Sequence, residues 1–193
     1  RRQGDPFCCL VDATHPFACR ISAALAAVSA AEHQPLLRLQ RPLLPEGRAV
    51  LLDALSQLGE LTRPGERLLL AIGARRLRDT IAACPGACHH ARVLPSPQAL
   101  RQALAAGLAA ERLACLRPGA ATEVIETALC RRWRIDTVLC RQSGGDSEGR
   151  WHRISQSLGL RLLLLRRPVE PEQVHAHTIT SLLDAIGWPD GSD

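Results

Sequence analysis

The stretch CCLVDATHPFACRIS, residues 8–22, passes from an apolar run to the start of a helix through a short polar segment. Residues 8–12 have the length and composition of a buried strand, and residues 16–31 carry apolar side chains at three- and four-residue spacing. Pro16 suits the first turn of this helix, which needs no backbone donor and benefits from a fixed φ. The stretch therefore predicts a strand, a polar turn and a covering helix.

The same alternation of strand and helix continues along the chain, and it is typical of a mostly parallel sheet covered by helices. Further strands are predicted at 36–40, 67–72, 90–94, 112–116, 136–140 and 160–165. Helices are expected between them, among them 49–61, 96–108 and 120–132. The predicted fold class is α/β.

Two prolines and a glycine in RPLLPEGRA, residues 41–49, interrupt the periodicity and indicate a domain boundary. Residues 49–168 predict a self-contained α/β domain, whereas residues 1–48 contain too few elements for a domain of their own. Residues 169–193 are expected to form a C-terminal helical tail. The short first part and the absence of methionine lead us to expect further sequence upstream, on the scale of two βα units.

All 24 basic residues are arginine, and the net charge is +5. The absence of lysine excludes Schiff-base chemistry and a P-loop lysine. The positive charge suits a small polyanion or nucleic acid, but an aromatic content of 3% is low for the stacking of single strands. We therefore expect a small anionic partner and no nucleic acid. No apolar run approaches the roughly 20 residues of a membrane-spanning helix, so no membrane partner is expected.

Most of the eight cysteines lie in apolar runs, where a thiol serves as a small buried hydrophobe. The segment CPGACHH, residues 84–90, holds two cysteines and two histidines, but no second ligand pair follows at the spacing of a zinc site. We predict no metal site. Reduced thiols indicate a cytoplasmic protein.

Polar residues that directly follow strands are the candidate ligand-binding residues, because ligands of parallel α/β sheets bind outside the carboxyl ends of the strands. In DATHP, Thr14 and His15 lead into a helix start that attracts anions. The alternative is a capping arrangement, in which Thr14 binds the first helical turn and Asp12 satisfies loop amides.

Two later loops show a related pattern of glycine and arginine. After the strand at 136–140, Gly144 and Gly145 permit close backbone approach and a nest of N–H groups around a carboxylate or phosphate, and Arg141 adds a bidentate donor. Gly73, followed by two arginines, repeats the pattern after LLLAIG. In both places a flexible loop without a ligand is the alternative interpretation.

Together these motifs resemble those of the precorrin-6A and cobalt-precorrin-6A reductases of cobalamin biosynthesis. The matching segments run in the family's order from about residue 6 to residue 168: VDATHPFACRIS, LLRLQRP, LLLAIGARRL, ARVLPSPQAL, VLCRQSGG and LGLRLLLLRRP. The resemblance implies two Rossmann-like domains with parallel sheets, the first incomplete at its N-terminus, and a cleft that holds NADPH and the macrocycle. A glycine-rich GGT turn of the family has no counterpart in this chain.

The resemblance also implies an activity, in which hydride from NADPH and a proton reduce one double bond of a carboxylate-rich tetrapyrrole. We expect a cytoplasmic oxidoreductase that is a monomer or a weak homo-oligomer. The alternative is a non-catalytic module that binds an anionic tetrapyrrole or a nucleotide.

Roles follow for the matching residues. His15 is the expected proton donor because imidazole titrates near neutrality, with solvent as the alternative. Asp12 holds the tautomer of His15 or caps the loop. The expected cofactor-binding residues are Thr14, Pro16, Gly73, Ser143, Gly144 and Gly145. The expected substrate-binding residues are Arg41, Arg75 and Arg141.

Overall fold

The computed structural model describes residues 8–117, 119, 121–169 and 175–187. Within these residues lie nine strands: β1 (Leu10–Asp12), β2 (Leu36–Leu39), β3 (Val50–Leu52), β4 (Arg67–Ala71), β5 (Cys88–Val93), β6 (Leu113–Cys115), β7 (Thr137–Arg141), β8 (Arg161–Leu165) and β9 (His175–His177). The same residues form seven α-helices: α1 (Cys19–Ala31), α2 (Leu58–Leu61), α3 (Leu77–Ala83), α4 (Pro97–Ala105), α5 (Thr122–Trp133), α6 (Asp146–Leu158) and α7 (Ile179–Ala185).

The described residues divide into two compact units. The first unit takes its described residues from Arg1–Leu43 and Arg167–Asp193, and the second unit is Leu44–Arg166. The chain thus passes between the units near the predicted boundaries, after residue 43 and after residue 166. The C-terminal segment groups with the first unit, which is therefore built from both ends of the chain.

A three-stranded parallel sheet forms the centre of the first unit, in the order β1-β2-β9. In β9, His175 pairs with Leu37 of β2. The predicted helical tail, 169–193, is therefore wrong over His175–His177, which form a strand, whereas α7 follows as a helix. Residues 170–174 and 188–193 lie outside the described residues. The long-range pairing with β2 overrides the local preference of a three-residue segment.

Six parallel strands form the sheet of the second unit, in the order β3-β8-β7-β4-β5-β6. The inner strands β4 and β8 are mostly leucine, as expected for a sheet that is covered on both faces. Leu68, Leu70, Leu163 and Leu164 in these strands are completely buried. On one face of the sheet, Trp151 of α6 belongs to the same core cluster as Leu164. These parallel sheets confirm the predicted α/β class.

The helix predicted over 49–61 is wrong in its first part. Val50–Leu52 is the edge strand β3, in which Val50 pairs with Leu163 of β8, and helical structure begins only at Leu55. A short apolar run cannot be assigned to a strand or a helix by periodicity alone. The free edge of β8 decides the outcome, because pairing there buries Leu52 almost completely.

A buried ion cluster ties the helices α5 and α6 to β5. Glu126 of α5 is 1% exposed, and its carboxylate lies 2.9 Å from Nε of Arg92 and 3.4 Å from Nη1 of Arg150. Buried charges are tolerated only when they are paired in this way. The cluster therefore holds α6 in place, and the loop that precedes α6 contains three of the predicted site residues.

The chain reverses its direction across the second sheet between β4 and β7. From β4 it continues to the neighbouring β5, whereas from β7 it continues to β8 on the opposite side. Ligands of open α/β sheets bind at such a switch point, outside the carboxyl ends of the two strands. The residues that follow β4 and β7 are therefore the candidate ligand-binding residues of this unit.

Candidate functional site

Gly73 follows β4 at the switch point of the second unit and has a backbone conformation that only glycine adopts readily, with φ +86° and ψ 150°. A Cβ at this position would stand 3.4 Å from Nη2 of Arg141, the last residue of β7. The two residues predicted from separate loops therefore meet. Because Gly73 has no side chain, the guanidinium group of Arg141 can lie against its backbone.

Two further arginines lie in the turn that follows Gly73. Arg75 and Arg76 are exposed in the single 3₁₀ turn Ala74–Arg76. Burial, followed by the positive charges of Arg76 and Arg75, lowers the pKa of Arg141 below its ordinary value. Guanidinium stays charged at neutral pH, so three cations repel one another at this edge of the sheet. Such a cluster favours an anion.

The cluster does not follow the division that we predicted between cofactor and substrate residues. Gly73 was expected to bind the cofactor, whereas Arg75 and Arg141 were expected to bind the substrate, yet the structure gathers all three in one place. Arg76 belongs to the cluster but was not among the predicted site residues. Its position directly after Arg75, in the same strand-to-helix turn, was the signal that could have identified it.

In the loop between β7 and α6, the backbone binds a side chain of the protein, whereas we expected it to bind a carboxylate or phosphate of a ligand. Ser143 is buried, Gly144 has φ +67°, and Gly145 is the N-cap of α6. The amide of Gly144 donates a hydrogen bond of 2.6 Å to Oε2 of Glu148. The carboxylate that this glycine turn binds is thus one of the protein's own. A glutamate three residues after the N-cap is a recognised capping signal, and the sequence analysis missed it.

Asp12 ends β1 and is 1% exposed. Its Oδ1 accepts hydrogen bonds from the amide of Thr14 at 3.0 Å and from the Thr14 hydroxyl at 2.7 Å, and its Oδ2 accepts one from Nη1 of Arg38. Arg38 Nη1 also lies 2.8 Å from Oγ of Ser22 on α1. Burial alone would raise the pKa of Asp12, but the hydrogen bonds from Thr14 and Ser22 and the charge of Arg38 outweigh burial and lower it. The bond from the Thr14 amide to Asp12 is the one expected in the capping alternative. The other part of that alternative is wrong, because the Thr14 hydroxyl binds Asp12 and α1 has no side-chain cap.

Arg38 is a buried cation that the sequence analysis did not single out. It is 3% exposed and lies in β2, beside the strand that ends at Asp12. A charged residue in the middle of the apolar segment LLRLQ was the signal, because a buried charge requires a partner.

The predicted helix start at Pro16 is wrong, because α1 begins at Cys19. The amide of Ala18 donates to the carbonyl of His15 at 2.7 Å, which places Pro16 at the second position of a turn. Proline is favoured there because its fixed φ matches the turn. The Nδ1 atom of His15 accepts a hydrogen bond from the amide of Phe17 at 3.2 Å. Neutral His15 therefore carries its proton on Nε2.

Arg41 follows β2 in the first unit and is half-buried. Its carbonyl oxygen accepts a hydrogen bond of 2.6 Å from Nη1 of Arg167, in the segment through which the chain returns to this unit. Because β1 and β2 are parallel, Arg41 and the turn after Asp12 follow the same edge of the sheet. The predicted site residues thus form one group in each unit.

The described residues contain no group of three or more histidine, cysteine or acidic side chains that could hold a metal ion. All eight cysteines are free thiols. In the same described residues, no helix has both the length and the apolar character that a membrane span requires.

Parallel sheets with a switch point define an α/β protein, and the arginine cluster lies where open α/β sheets bind their ligands. Comparison with known proteins then gives the family. The chain belongs to the precorrin-6x reductase family CbiJ/CobK, whose profile matches residues 3–187. The resemblance found in the sequence motifs is therefore confirmed.

Individual relatives agree with this assignment. The chain is 36% identical over 167 residues to the cobalt-precorrin-6A reductase of Synechocystis, a match that covers 82% of this chain and 63% of the relative. It is 30% identical over 190 residues to the precorrin-6A reductase of Rhodococcus erythropolis, covering 95% of this chain and 71% of the relative. The chain thus spans less than two thirds of the Synechocystis protein.

A solved structure, CobK precorrin-6A reductase, has the same fold with a TM-score of 0.75. The match has 24% sequence identity and covers 93% of this chain and 72% of that chain. At this identity the likeness supports the α/β fold, and the roles of individual residues depend on the geometry described above.

Proposed function

We propose that this protein reduces one carbon–carbon double bond of precorrin-6A or cobalt-precorrin-6A in cobalamin biosynthesis, with NADPH as the hydride source. Family membership and the names of the Synechocystis and Rhodococcus relatives support this proposal. The proposal concerns the whole protein, since the chain spans 63% of the Synechocystis relative.

The observation that carries the proposal is the approach of Arg141 to Gly73 at the switch point, beside Arg75 and Arg76. A tetrapyrrole that bears several carboxylates needs fixed cations, and the planar guanidinium group binds a carboxylate through two parallel hydrogen bonds. We assign the cluster to the acidic side chains of the macrocycle. The half-buried Arg141 is the specific contact, and the exposed Arg75 and Arg76 attract the polyanion.

In the first unit, the residues after β1 would serve the cofactor and the proton. The Thr14 hydroxyl donates its proton to Asp12, so only its lone pairs are available to a donor on the cofactor. Pro16 fixes the turn that presents His15. Asp12 would contribute to binding indirectly, because its carboxylate accepts a hydrogen bond from Thr14, pairs with Arg38 and so fixes the positions of both side chains.

The reaction adds one hydride and one proton across the double bond. Bound NADPH would supply the hydride and leave as NADP⁺. His15 in its imidazolium form would supply the proton from Nε2, because Nδ1 faces the Phe17 amide. Loss of this proton leaves the ring neutral with its remaining proton on Nδ1. Exchange with solvent then restores the tautomer with the proton on Nε2, in which Nδ1 accepts from the Phe17 amide.

A direct test follows the absorbance of NADPH when the protein from the complete reading frame is mixed with precorrin-6A or with cobalt-precorrin-6A. We expect oxidation of NADPH only when a macrocycle is present, and slower oxidation of NADH. Binding of the macrocycle without oxidation of either nucleotide would instead support the non-catalytic binding module.

We also assign the protein to the cytoplasm, as a monomer or a weak homo-oligomer without nucleic acid or membrane partners. Exposed free thiols such as Cys19 and Cys115 support a reducing compartment. Sedimentation at several protein concentrations would test the oligomeric state, and a stable dimer throughout would contradict this assignment.

A further inference from the structure

Glu148 is a buried acid for which the proposed reaction gives no role. It lies in the first turn of α6, is 1% exposed, and accepts the 2.6 Å hydrogen bond from the Gly144 amide. The bond closes a tight turn that contains the positive φ of Gly144. One carboxylate therefore fixes the backbone of the loop that follows Arg141.

The surroundings of Glu148 show that the carboxylate lies inside the loop and not in solvent. Burial, followed by the negative charge of Glu148, raises the pKa of the Cys140 thiol in β7 well above its ordinary value, so the carboxylate lies close to that strand. On the other side, Nε2 of His152 is 3.7 Å from Oε1 of Glu148, one helical turn further along. The carboxylate also lies where the helix dipole of α6 favours a negative charge.

The Gly144 amide, at the amino end of α6, is therefore already occupied by the protein's own carboxylate. The charge of Glu148 also repels a second anion near this amide. The cations of the same edge are the guanidinium groups of Arg141, Arg75 and Arg76. The turn that Glu148 closes begins at Gly144, three residues after Arg141.

We propose that Glu148 is a positioning residue, which closes the turn at Gly144, holds Arg141 against Gly73, and directs the anionic ligand to the arginines instead of the amino end of α6. The identity of this ligand rests on the proposed function, whereas the effect on the loop and on anion preference does not. Glu148 touches neither the substrate nor the cofactor in this proposal.

The first experiment measures hydrogen exchange of the Gly144 amide by NMR. Exchange is expected to be slow in the wild type, faster by roughly tenfold or more in Glu148→Ala, and intermediate in Glu148→Gln, which keeps an acceptor oxygen. Glu123→Gln is the matched control, because Glu123 also lies in the first turn of a helix and pairs with an arginine, Arg153, at 2.6 Å. Equal exchange at Gly144 in the wild type and in Glu148→Ala would overturn the proposal.

The second experiment uses inorganic phosphate as an anionic probe and thermal unfolding as the readout. Phosphate is expected to stabilise the wild type, and Arg141→Ala is expected to lose most of this stabilisation. In Arg141→Ala/Glu148→Gln the stabilisation returns, because the amide of Gly144 becomes available to the anion. If the double variant responds to phosphate no more than Arg141→Ala does, Glu148 does not direct the anion.

The third experiment separates KM from kcat in the reductase assay. Glu148→Gln is expected to raise KM for the macrocycle by about tenfold and to change kcat by less than about threefold, since the chemical step does not involve the loop. Glu123→Gln is expected to leave both constants unchanged. An equal KM in the two variants would contradict the positioning role. If the wild type shows no turnover, the proposed function fails, while the exchange and phosphate experiments still decide the role of Glu148.

Discussion

The guanidinium group of Arg141 lies against the backbone of Gly73, so closely that a Cβ on Gly73 would stand 3.4 Å from Nη2. Arg141 ends β7 and Gly73 follows the neighbouring strand β4, on either side of the point where the chain reverses across the sheet. The missing side chain after one strand thus makes room for a cation at the end of the other. The relationship connects a fold-level feature, the switch point, to a specific group that can bind an anion.

Replacement of Gly73 by alanine tests this relationship. At φ +86° an alanine is strained, which is expected to lower the free energy of unfolding by about 1–3 kcal/mol. The added methyl group also displaces Arg141, so that KM for the macrocycle rises. Urea unfolding and steady-state kinetics measure the two effects.

The control for this variant is Gly159→Ala. Gly159 has φ +66°, and no atom lies within 4 Å of the position of its Cβ. The variant is therefore expected to lose stability without a change in KM. A similar rise of KM in both variants would show that strain alone, and not the approach to Arg141, is responsible.

KM for the macrocycle is expected to depend more on the planar geometry of the Arg141 guanidinium group than on its charge. Arg141→Ala is expected to raise KM for the macrocycle by about 10- to 100-fold, the range for a hydrogen bond to a charged group. Arg141→Lys should recover only part of the loss, because an ammonium group cannot form two parallel hydrogen bonds. Arg101→Ala, on the exposed surface of α4, is the control and is expected to leave KM unchanged. Full activity of Arg141→Lys would contradict the bidentate contact.

The buried pair of Asp12 and Arg38 is expected to dominate the stability of the first unit. Asp12→Asn leaves the Arg38 guanidinium buried without a carboxylate, at an expected loss of about 3 kcal/mol. The double variant Asp12→Asn/Arg38→Met should be more stable than Asp12→Asn, because no unpaired charge remains. Denaturant unfolding of the three proteins measures the difference, and equal stability of the single and double variants would contradict it.

The lowered pKa of Asp12 also predicts how stability depends on pH. Since the pKa in the folded state lies below the ordinary 3.8, the unfolded chain binds more protons in the window between the two values. The contribution of Asp12 is therefore complete above the unfolded pKa and is lost as the pH falls through the folded pKa. Below about pH 4, Asp12→Asn should lose stability less steeply than the wild type. Parallel curves in this range would show that Asp12 is not the responsible group.

The value of kcat is expected to depend on His15, the proposed proton donor. Its replacement by glutamine removes the proposed acid and should lower kcat by about 10²- to 10⁴-fold, while KM changes little. The alkaline limb of the kcat profile, where imidazolium loses its proton, should disappear as well. His33→Asn, at an exposed position with φ +51°, is the matched control and is expected to be fully active. An unchanged kcat in His15→Gln would identify solvent as the proton donor.

Sequence reasoning was most reliable where a pattern repeats over many residues. The central strands at 67–72, 136–140 and 160–165 were predicted within about one residue, because three or more consecutive apolar residues between turns are recognisable locally. The strands β3 and β9 were the errors. Each has three residues and depends on pairing with a distant strand, which no local pattern reveals.

The sequence by itself determined the α/β class, the polar turns after the strands and the family motifs, because each depends on residue types at short, regular spacing. The tertiary structure decided which of these residues act together. It placed Arg141 against Gly73, it gave Asp12 to Arg38 through two parallel strands, and it put Glu148 where an external anion was expected. Each of these contacts joins groups that only tertiary packing brings together. A buried charge needs a partner, and the identity of that partner is decided only when the whole sheet has formed.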